Sequence, residues 1–438
     1  MSSFEHLYTL SLSLARPLVR VAVPLSPKLR RGVEGRRVAV DVLERWAAEH
    51  RDPARPLVWL HAPSVGEALM AQAIAAAIRE TSPSVQLAFT HFSPSAERMA
   101  GRVGADVAGY LPWDVPADMG RALRALRPSA VAFVRTEIWP VLTRLAQACG
   151  ARVALVNAVL SSGSSRLRWP ARGTLSRYYR MLDAVGAVTA EHGARFSELG
   201  VPSGRVCVTG DARFDQVWAR VRGTSSTPLV ERLRDPSVFT IVAGSTWPTD
   251  EAMLVPAFAA LSRELPSRLI IAPHEPSDAH LQGVQRALDA EGVRHRRLAE
   301  VEADDAPIPD AVIVDRVGVL ADLYSAADVA YVGGGFHRAG LHSVVEPAAL
   351  GVPAVYGPRH GNAREGDELA AAGGGYIEAD AAALTTRFRT LARDEGARRV
   401  AGEAARAYVE SQLGGARRNA ELILDLILDL MNRSGIAG

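Results

Sequence analysis

Lysine is almost missing from this chain: of its 50 basic residues, only Lys28 is not arginine. A Walker-type phosphate loop and Schiff-base catalysis both need a lysine in a defined setting, and Lys28, set among arginines near the start, offers neither. Cysteine is scarce as well. Cys149 and Cys207 have neither the spacing of a metal site nor that of a disulfide framework, and read as buried thiols in a reducing cytoplasm. Charge of one sign is lacking too, since the formal net charge of +2 carries no nucleic-acid footprint and no nucleic-acid partner is expected. Long apolar runs are absent. In the first 25 residues Phe4, Leu7, Tyr8, Leu14, Leu18 and Val21 form an apolar surface, but Arg16 and Arg20 break it, and a bilayer span needs about 20 largely apolar residues. It also lacks the basic start and small-residue cleavage site of a secretory signal. Two readings stay open: a helix lying in a membrane interface, with Arg16, Arg20, Lys28, Arg30, Arg31, Arg36 and Arg37 facing anionic headgroups, or a helix packed on its own domain.

What is present is the composition of a globular protein, 48% apolar and 22% charged over 438 residues, a length that calls for two domains. Apolar strand-like runs at 57–60, 85–90, 130–134, 153–156, 184–188 and 206–208 alternate with helical patterns. Such alternation predicts a parallel sheet covered by helices. The pattern breaks at 220–236, around Gly223-Thr224-Ser225-Ser226-Thr227-Pro228, and resumes with strands at 238–243, 268–272, 311–314, 329–332 and 354–356. The expected division is therefore 1–31 as an N-terminal segment, 32–218 as one α/β domain, 219–237 as a linker and 238–438 as a second α/β domain. Leu422, Ile423, Leu426, Ile427 and Leu430 mark a final helix, which has the option of packing back on the first domain.

Chemistry-bearing residues stand where the predicted strands end. In Trp59-Leu60-His61-Ala62-Pro63-Ser64-Val65-Gly66-Glu67 a carboxylate follows a turn and opens an Ala-rich helix. Open α/β sheets bind ligands at such strand ends. Arg135-Thr136-Glu137-Ile138-Trp139-Pro140 repeats the arrangement after the strand 130–134. From the residues alone each glutamate also reads as a first-turn residue that complements the helix dipole. Gly244-Ser245-Thr246 and Gly333-Gly334-Gly335 each follow a strand, and exposed N–H groups there would cradle a phosphate. His342 and Glu346, four apart, are expected on one helix face; no third ligand has suitable spacing, so no metal is expected.

Taken in order, the blocks around Glu67 and Glu137, Gly244-Ser245-Thr246-Trp247 and Gly340-Leu341-His342-Ser343-Val344-Val345-Glu346-Pro347 resemble the 3-deoxy-D-manno-octulosonic acid (Kdo) transferases. Further support comes from Tyr110-Leu111-Pro112-Trp113-Asp114, Asn157-Ala158-Val159-Leu160-Ser161, Gly210-Asp211-Ala212-Arg213-Phe214-Asp215 and Tyr356-Gly357-Pro358 with Asn362. The resemblance runs from about residue 10 to residue 430. It implies the glycosyltransferase B fold, two Rossmann-like doubly wound domains facing a cleft, with CMP-Kdo as donor and a lipid A precursor (lipid IVA) as acceptor in lipopolysaccharide biosynthesis. It further implies an inverting, metal-free transfer without a cofactor at the cytoplasmic face of the inner membrane, to which the family's apolar N-terminal segment attaches.

By the same resemblance Glu67 is the general base and Glu137 a second catalytic carboxylate; Ser64, Gly66, Asn157 and Ser161 bind acceptor; Ser245, Thr246, His274, Gly318, Gly334, Gly335, His342, Glu346 and Asn362 bind donor. Departures from the commoner pattern are Trp247-Pro248-Thr249-Asp250 for a His-x-Gly-Glu run, Ala272-Pro273-His274-Glu275 for Pro-Arg-His, Ser343 for Asn and Val159 for Arg. They read as a subgroup. The alternatives are a related enzyme of the same fold with another nucleotide-sugar donor, a nucleotide-sugar epimerase, and a membrane-bound scaffold without catalysis.

Overall fold

The computed structural model describes residues 6–14, 26–223 and 227–433. Chain contacts divide it into two units: one runs to Gln216 and takes the chain up again from Leu413, the other is Val217–Gln412.

The first unit holds a seven-stranded sheet of β1 (Leu57–Ala62), β2 (Gln86–His91), β3 (Val107–Tyr110), β4 (Ala130–Val134), β5 (Arg152–Ala158), β6 (Ala184–Ala187) and β7 (Val206–Val208), in the order β3-β2-β1-β4-β5-β6-β7. Every pairing is parallel. Central strands are largely apolar because helices cover both faces, and β1, β2 and β4 are buried at every position. Chain order reverses between β1 and β4. That reversal opens a crevice beyond the carboxyl ends of those two strands.

The second unit repeats the architecture with β8 (Phe239–Thr246), β9 (Ser267–Pro273), β10 (His295–Arg297), β11 (Ala311–Ile313), β12 (Val329–Val332), β13 (Ala354–Tyr356) and β14 (Gly375–Ile377), in the order β10-β11-β9-β8-β12-β13-β14, again all parallel. Its reversal lies between β8 and β12. Two doubly wound α/β units of this kind are the fold class the sequence predicts.

The expected linker, 219–237, takes another form. The helix Ala212–Gly223 runs through the boundary, and the helix Pro228–Leu233 follows, with Val230 and Leu233 buried against Val242, Ile270 and Tyr324. The final helix, Gly415–Arg433, lies on the helix Val65–Thr81 of the first unit. An alanine-lined stripe, Ala68, Ala71 and Ala75, meets its Ala416, Ala420, Ile423 and Ile427 in one apolar cluster. Each buried isoleucine there contributes roughly 1.5–3 kcal/mol.

Of the expected N-terminal segment, residues 1–5 and 15–25 lie outside the described residues. Residues 6–14 are helical, with Leu7, Leu10 and Leu14 exposed while the Tyr8 hydroxyl donates to Asp114 Oδ2 at 3.1 Å. Among the described residues, no helix is long and apolar enough to cross a membrane. Cys149 and Cys207, expected to be buried, are exposed, one at a helix C-terminus and the other on the edge strand β7.

Candidate active site

In the first unit the chain leaves β1 through Pro63 and enters the helix Val65–Thr81 with Ser64 as its cap. Glu67, in the first turn, accepts from the Ser64 backbone N–H at 3.0 Å and from the Ser64 hydroxyl, so its carboxylate is held over the strand end. Glu137 follows β4, the neighbour of β1 across the reversal. Its carboxyl titrates above the ordinary range: partial loss of hydration raises it, Arg166 at 3.8 Å opposes that, and the negative charge of Glu67 adds to it. The two glutamates are thus electrostatic neighbours. Gly66 and Ser161 are exposed and Ser64 is half-buried. An aromatic cluster gathers at the same strand ends. Trp139 packs edge-on against His61, their rings 5.8 Å apart, and tilts over Phe92 at 5.1 Å. Arg36 crosses from its helix to donate to the Phe92 carbonyl at 2.6 Å, its guanidinium 3.7 Å from the Phe92 ring centre.

Asn157 lies differently from the other expected acceptor residues. It is fully buried, and its Oδ1 accepts from the Ala212 N–H at 2.7 Å while its Nδ2 donates to Asp211 Oδ1 at 3.2 Å. Asp211 in turn faces Arg135 at 3.8 Å and Arg213 at 3.4 Å. Asn157 therefore acts through the loop it ties down. Among described non-glycine residues with positive φ, Arg127 closes a helix, and the other three, Arg135 (86°), Asn157 (49°) and Ser245 (55°), all mark the carboxyl ends of strands. Backbone strain gathers where ligands are held.

The second unit carries a cavity of about 290 Å³ lined by Arg220, Ser245, Gly318, Tyr324, His342 and Glu346 among others. Four of the expected donor residues, Ser245, Gly318, His342 and Glu346, thus share one cavity. Glu346 faces Arg220 at 3.6 Å, a pairing invisible at the sequence level because Arg220 lay in the expected linker. His342 and Glu346 do not share a helix face: the helix is only Val345–Ala349, and His342 precedes it in a loop. Pro347 falls in the first turn, where its missing N–H costs nothing.

The phosphate cradle expected of Gly333-Gly334-Gly335 is also changed. The Gly333 N–H donates to the Gly244 carbonyl at 2.9 Å and the Gly334 N–H to Asp250 Oδ2 at 2.8 Å. Gly334 itself is required, since φ is 91° and a Cβ would fall 2.1 Å from the Gly340 carbonyl oxygen. Asp250, fully buried, also accepts from the N–H groups of Trp247 and Phe336, at 3.0 Å each, and from the Tyr331 hydroxyl at 3.1 Å. The sequence signal for it was an acid at the third position of a helix beginning Trp-Pro, the place of a capping carboxylate.

Thr246 is fully buried with its hydroxyl on Glu251 at 2.8 Å. Asn362 brackets Leu341, accepting from its N–H and donating to its carbonyl at 2.9 Å each. Both hold the cavity's loops. His274 lies beside it, stacked with Trp247 at 4.8 Å and 4.5 Å from His342, while His337 lies 4.1 Å from Trp247 on a nearly parallel plane. The indole N–H of Trp247 donates to His342 Nε2 at 3.0 Å. Burial lowers the proton affinity of His342, and the neighbouring His274 lowers it further.

Residues 41–216 match the family described as 3-Deoxy-D-manno-octulosonic-acid transferase (kdotransferase). The 3-deoxy-D-manno-octulosonic acid transferase of Bordetella pertussis is 30% identical over 394 residues, which cover 85% of this chain and 88% of that protein. The chain belongs to the Kdo transferase family. A second relative, the Kdo transferase of Haemophilus influenzae, is 24% identical over 86% of this chain and 88% of its own length. Among solved structures, UDP-GlcNAc 2-epimerase from Neisseria meningitidis bound to UDP-GlcNAc superposes with a TM-score of 0.59 at 13% identity, over 85% of this chain and 100% of that one. A glycosyltransferase from Rickettsia africae ESF-5 gives 0.54 at 12% identity, over 86% and 99%. These likenesses show the fold, that of glycosyltransferase B, and the family makes this Kdo transferase homologue a glycosyltransferase.

Proposed function

We propose that the protein transfers Kdo from CMP-Kdo to a lipid A precursor at the cytoplasmic face of the inner membrane, by a single displacement with inversion, with Glu67 as general base. The observation that supports it most directly is the pair Glu67 and Glu137 at the reversal of the first sheet, with Glu67 held by Ser64 and felt electrostatically by Glu137. An acceptor hydroxyl oxygen attacks the anomeric carbon, the bond from that carbon to the phosphate oxygen breaks, CMP departs with the electron pair, and the hydroxyl proton passes to Glu67. Glu137 orients the acceptor sugar. CMP sits in the cavity of the second unit, its ribose hydroxyls on Glu346 and its phosphate near Ser245 and His342. No metal takes part in this scheme.

The test is mass analysis of a tetraacylated lipid A precursor after incubation with freshly generated CMP-Kdo. Addition of Kdo is expected from the natural protein. Glu67→Gln is expected to lower turnover by about two to four orders of magnitude, the scale of a lost general base, while leaving CMP binding intact. A variant with near-natural turnover would remove Glu67 from this role, and no mass gain from the natural protein would remove the reaction.

A further inference from the structure

Trp247 stands where the commoner family pattern has histidine, and its indole nitrogen makes a 3.0 Å hydrogen bond to His342 Nε2. An indole nitrogen only donates, so the Nε2 it meets must carry a lone pair. That excludes the imidazolium, in which both nitrogens are protonated, and it excludes the neutral form protonated on Nε2. What remains is the neutral ring with its proton on Nδ1. The ring lines the cavity with Ser245, Arg220 and Glu346. We propose that Trp247 is a positioning residue that fixes His342 as an Nδ1–H donor to a phosphate oxygen bound in that cavity. This rests on the nucleotide reading of the cavity given above.

The surroundings favour the same state. Groups that face His342 are His274, with ring centres 4.5 Å apart, His337 beyond Trp247, buried Asp250 on the Trp247 helix, and Arg220 and Glu346 across the cavity. Of these, His274 and His337 disfavour a positive ring and Asp250 favours one, while burial works against it most strongly. The stack of Trp247 between its histidine neighbours keeps the indole plane fixed, within 13° of the His342 plane and 9° of the His337 plane. The hydrogen bond is therefore directed as well as short.

Trp247→Phe keeps an aromatic ring for stacking and removes the N–H; Trp247→His restores a ring donor. Nitrogen-15 NMR of the ligand-free natural protein is expected to show His342 with an unprotonated Nε2 and a protonated Nδ1, and Trp247→Phe to show a mixture of tautomers that titrates at higher pH. CMP affinity of Trp247→Phe is expected to fall about threefold to tenfold at pH 8, the effect of one hydrogen bond, and to recover near pH 6 where the freed ring becomes cationic. Cytidine, which has no phosphate, is expected to bind both proteins alike, and Trp247→His to regain most of the loss. A protonated Nε2 in the natural protein overturns the proposal, and so does a Trp247→Phe protein with natural CMP affinity across this pH range. If the natural protein shows the expected tautomer and binds no CMP, the phosphate part fails together with the nucleotide reading of the cavity, while the tautomer assignment stands.

Discussion

Single residues at the two strand-end sites divide into those that touch a ligand and those that hold the ones that do. In the proposed reaction Glu67 belongs to the first group, and its influence on Glu137 can be measured. Because Glu67 helps to raise the Glu137 carboxyl, Glu67→Gln should move the Glu137 titration toward its ordinary value, as read by carbon-13 NMR of the carboxyl. An unmoved titration would mean that the two side chains do not sense each other. The sign for stability follows: a carboxyl raised on folding binds its proton more tightly in the native state, so stability falls as pH rises through the interval above the unfolded value, and Glu67→Gln narrows that interval. Asp250 belongs to the second group. Asp250→Ala orphans the N–H groups of Trp247, Gly334 and Phe336, and a loss of about 3–5 kcal/mol is expected in denaturant unfolding of the second unit. A loss below 1 kcal/mol would show that the loop does not depend on it. The strand-end positions of Glu67 and Glu137 were legible because a carboxylate shortly after an apolar run is a local pattern. The network of Asp250, like that of Asn157, was not legible, since its partners come from strands far apart in the chain.

At the scale of elements, legibility followed burial except at the edge strand β7, where Val206-Cys207-Val208 reads as an apolar run although it is largely exposed. Central strands such as β1, β4 and β9 were readable as apolar runs because both faces are covered. The strands that escaped, β3, β10 and β14, are edges of three or four residues with half-open positions, too short and too mixed for a periodic signal. The final helix shows the opposite case. Its apolar spacing was plain, but its destination depended on the alanine stripe of Val65–Thr81, which the sequence presents only as a helix-forming composition. Asn419 ties the final helix to β5 and to the end of β7. It is fully buried, its Oδ1 accepts from the Asn157 N–H at 2.8 Å and the Thr209 hydroxyl at 3.0 Å, and its Nδ2 donates to the Gly415 carbonyl at 2.8 Å. Asn419→Ala leaves the buried Asn157 N–H without a partner. The expected cost is about 2–4 kcal/mol, a fall of several degrees in the melting temperature of the first unit. Catalysis should suffer with it, because Asn157 ties down the loop bearing Asp211, which faces Arg135. A melting temperature unchanged within a degree would sever the terminal helix from the site.

At the scale of the whole molecule the question is how a chain with no membrane-crossing helix among its described residues reaches the proposed lipid acceptor. The first unit offers two kinds of attraction near its start. Leu7, Leu10 and Leu14 are 65%, 55% and 59% exposed on one short helix, which a water-facing role does not explain. Lys28, Arg30, Arg31 and Arg37 are exposed along the helix Pro27–His50, while Arg36, between them, is buried and donates to the Phe92 carbonyl. Basic residues near an anionic surface contribute about 1 kcal/mol each and are screened by salt, whereas apolar insertion is not. The two contributions are therefore separable. Replacing Lys28, Arg30, Arg31 and Arg37 by alanine should remove the salt-sensitive part of binding to phosphatidylglycerol vesicles, roughly two to three orders of magnitude at low salt. Replacing Leu7, Leu10 and Leu14 by serine should remove the part that survives high salt. Both proteins should still transfer Kdo to a short-chain, detergent-dispersed acceptor, since none of the seven residues has a part in the proposed chemistry. If both sediment with vesicles as the natural chain does, the membrane contact lies on another surface and these two helices serve only the fold.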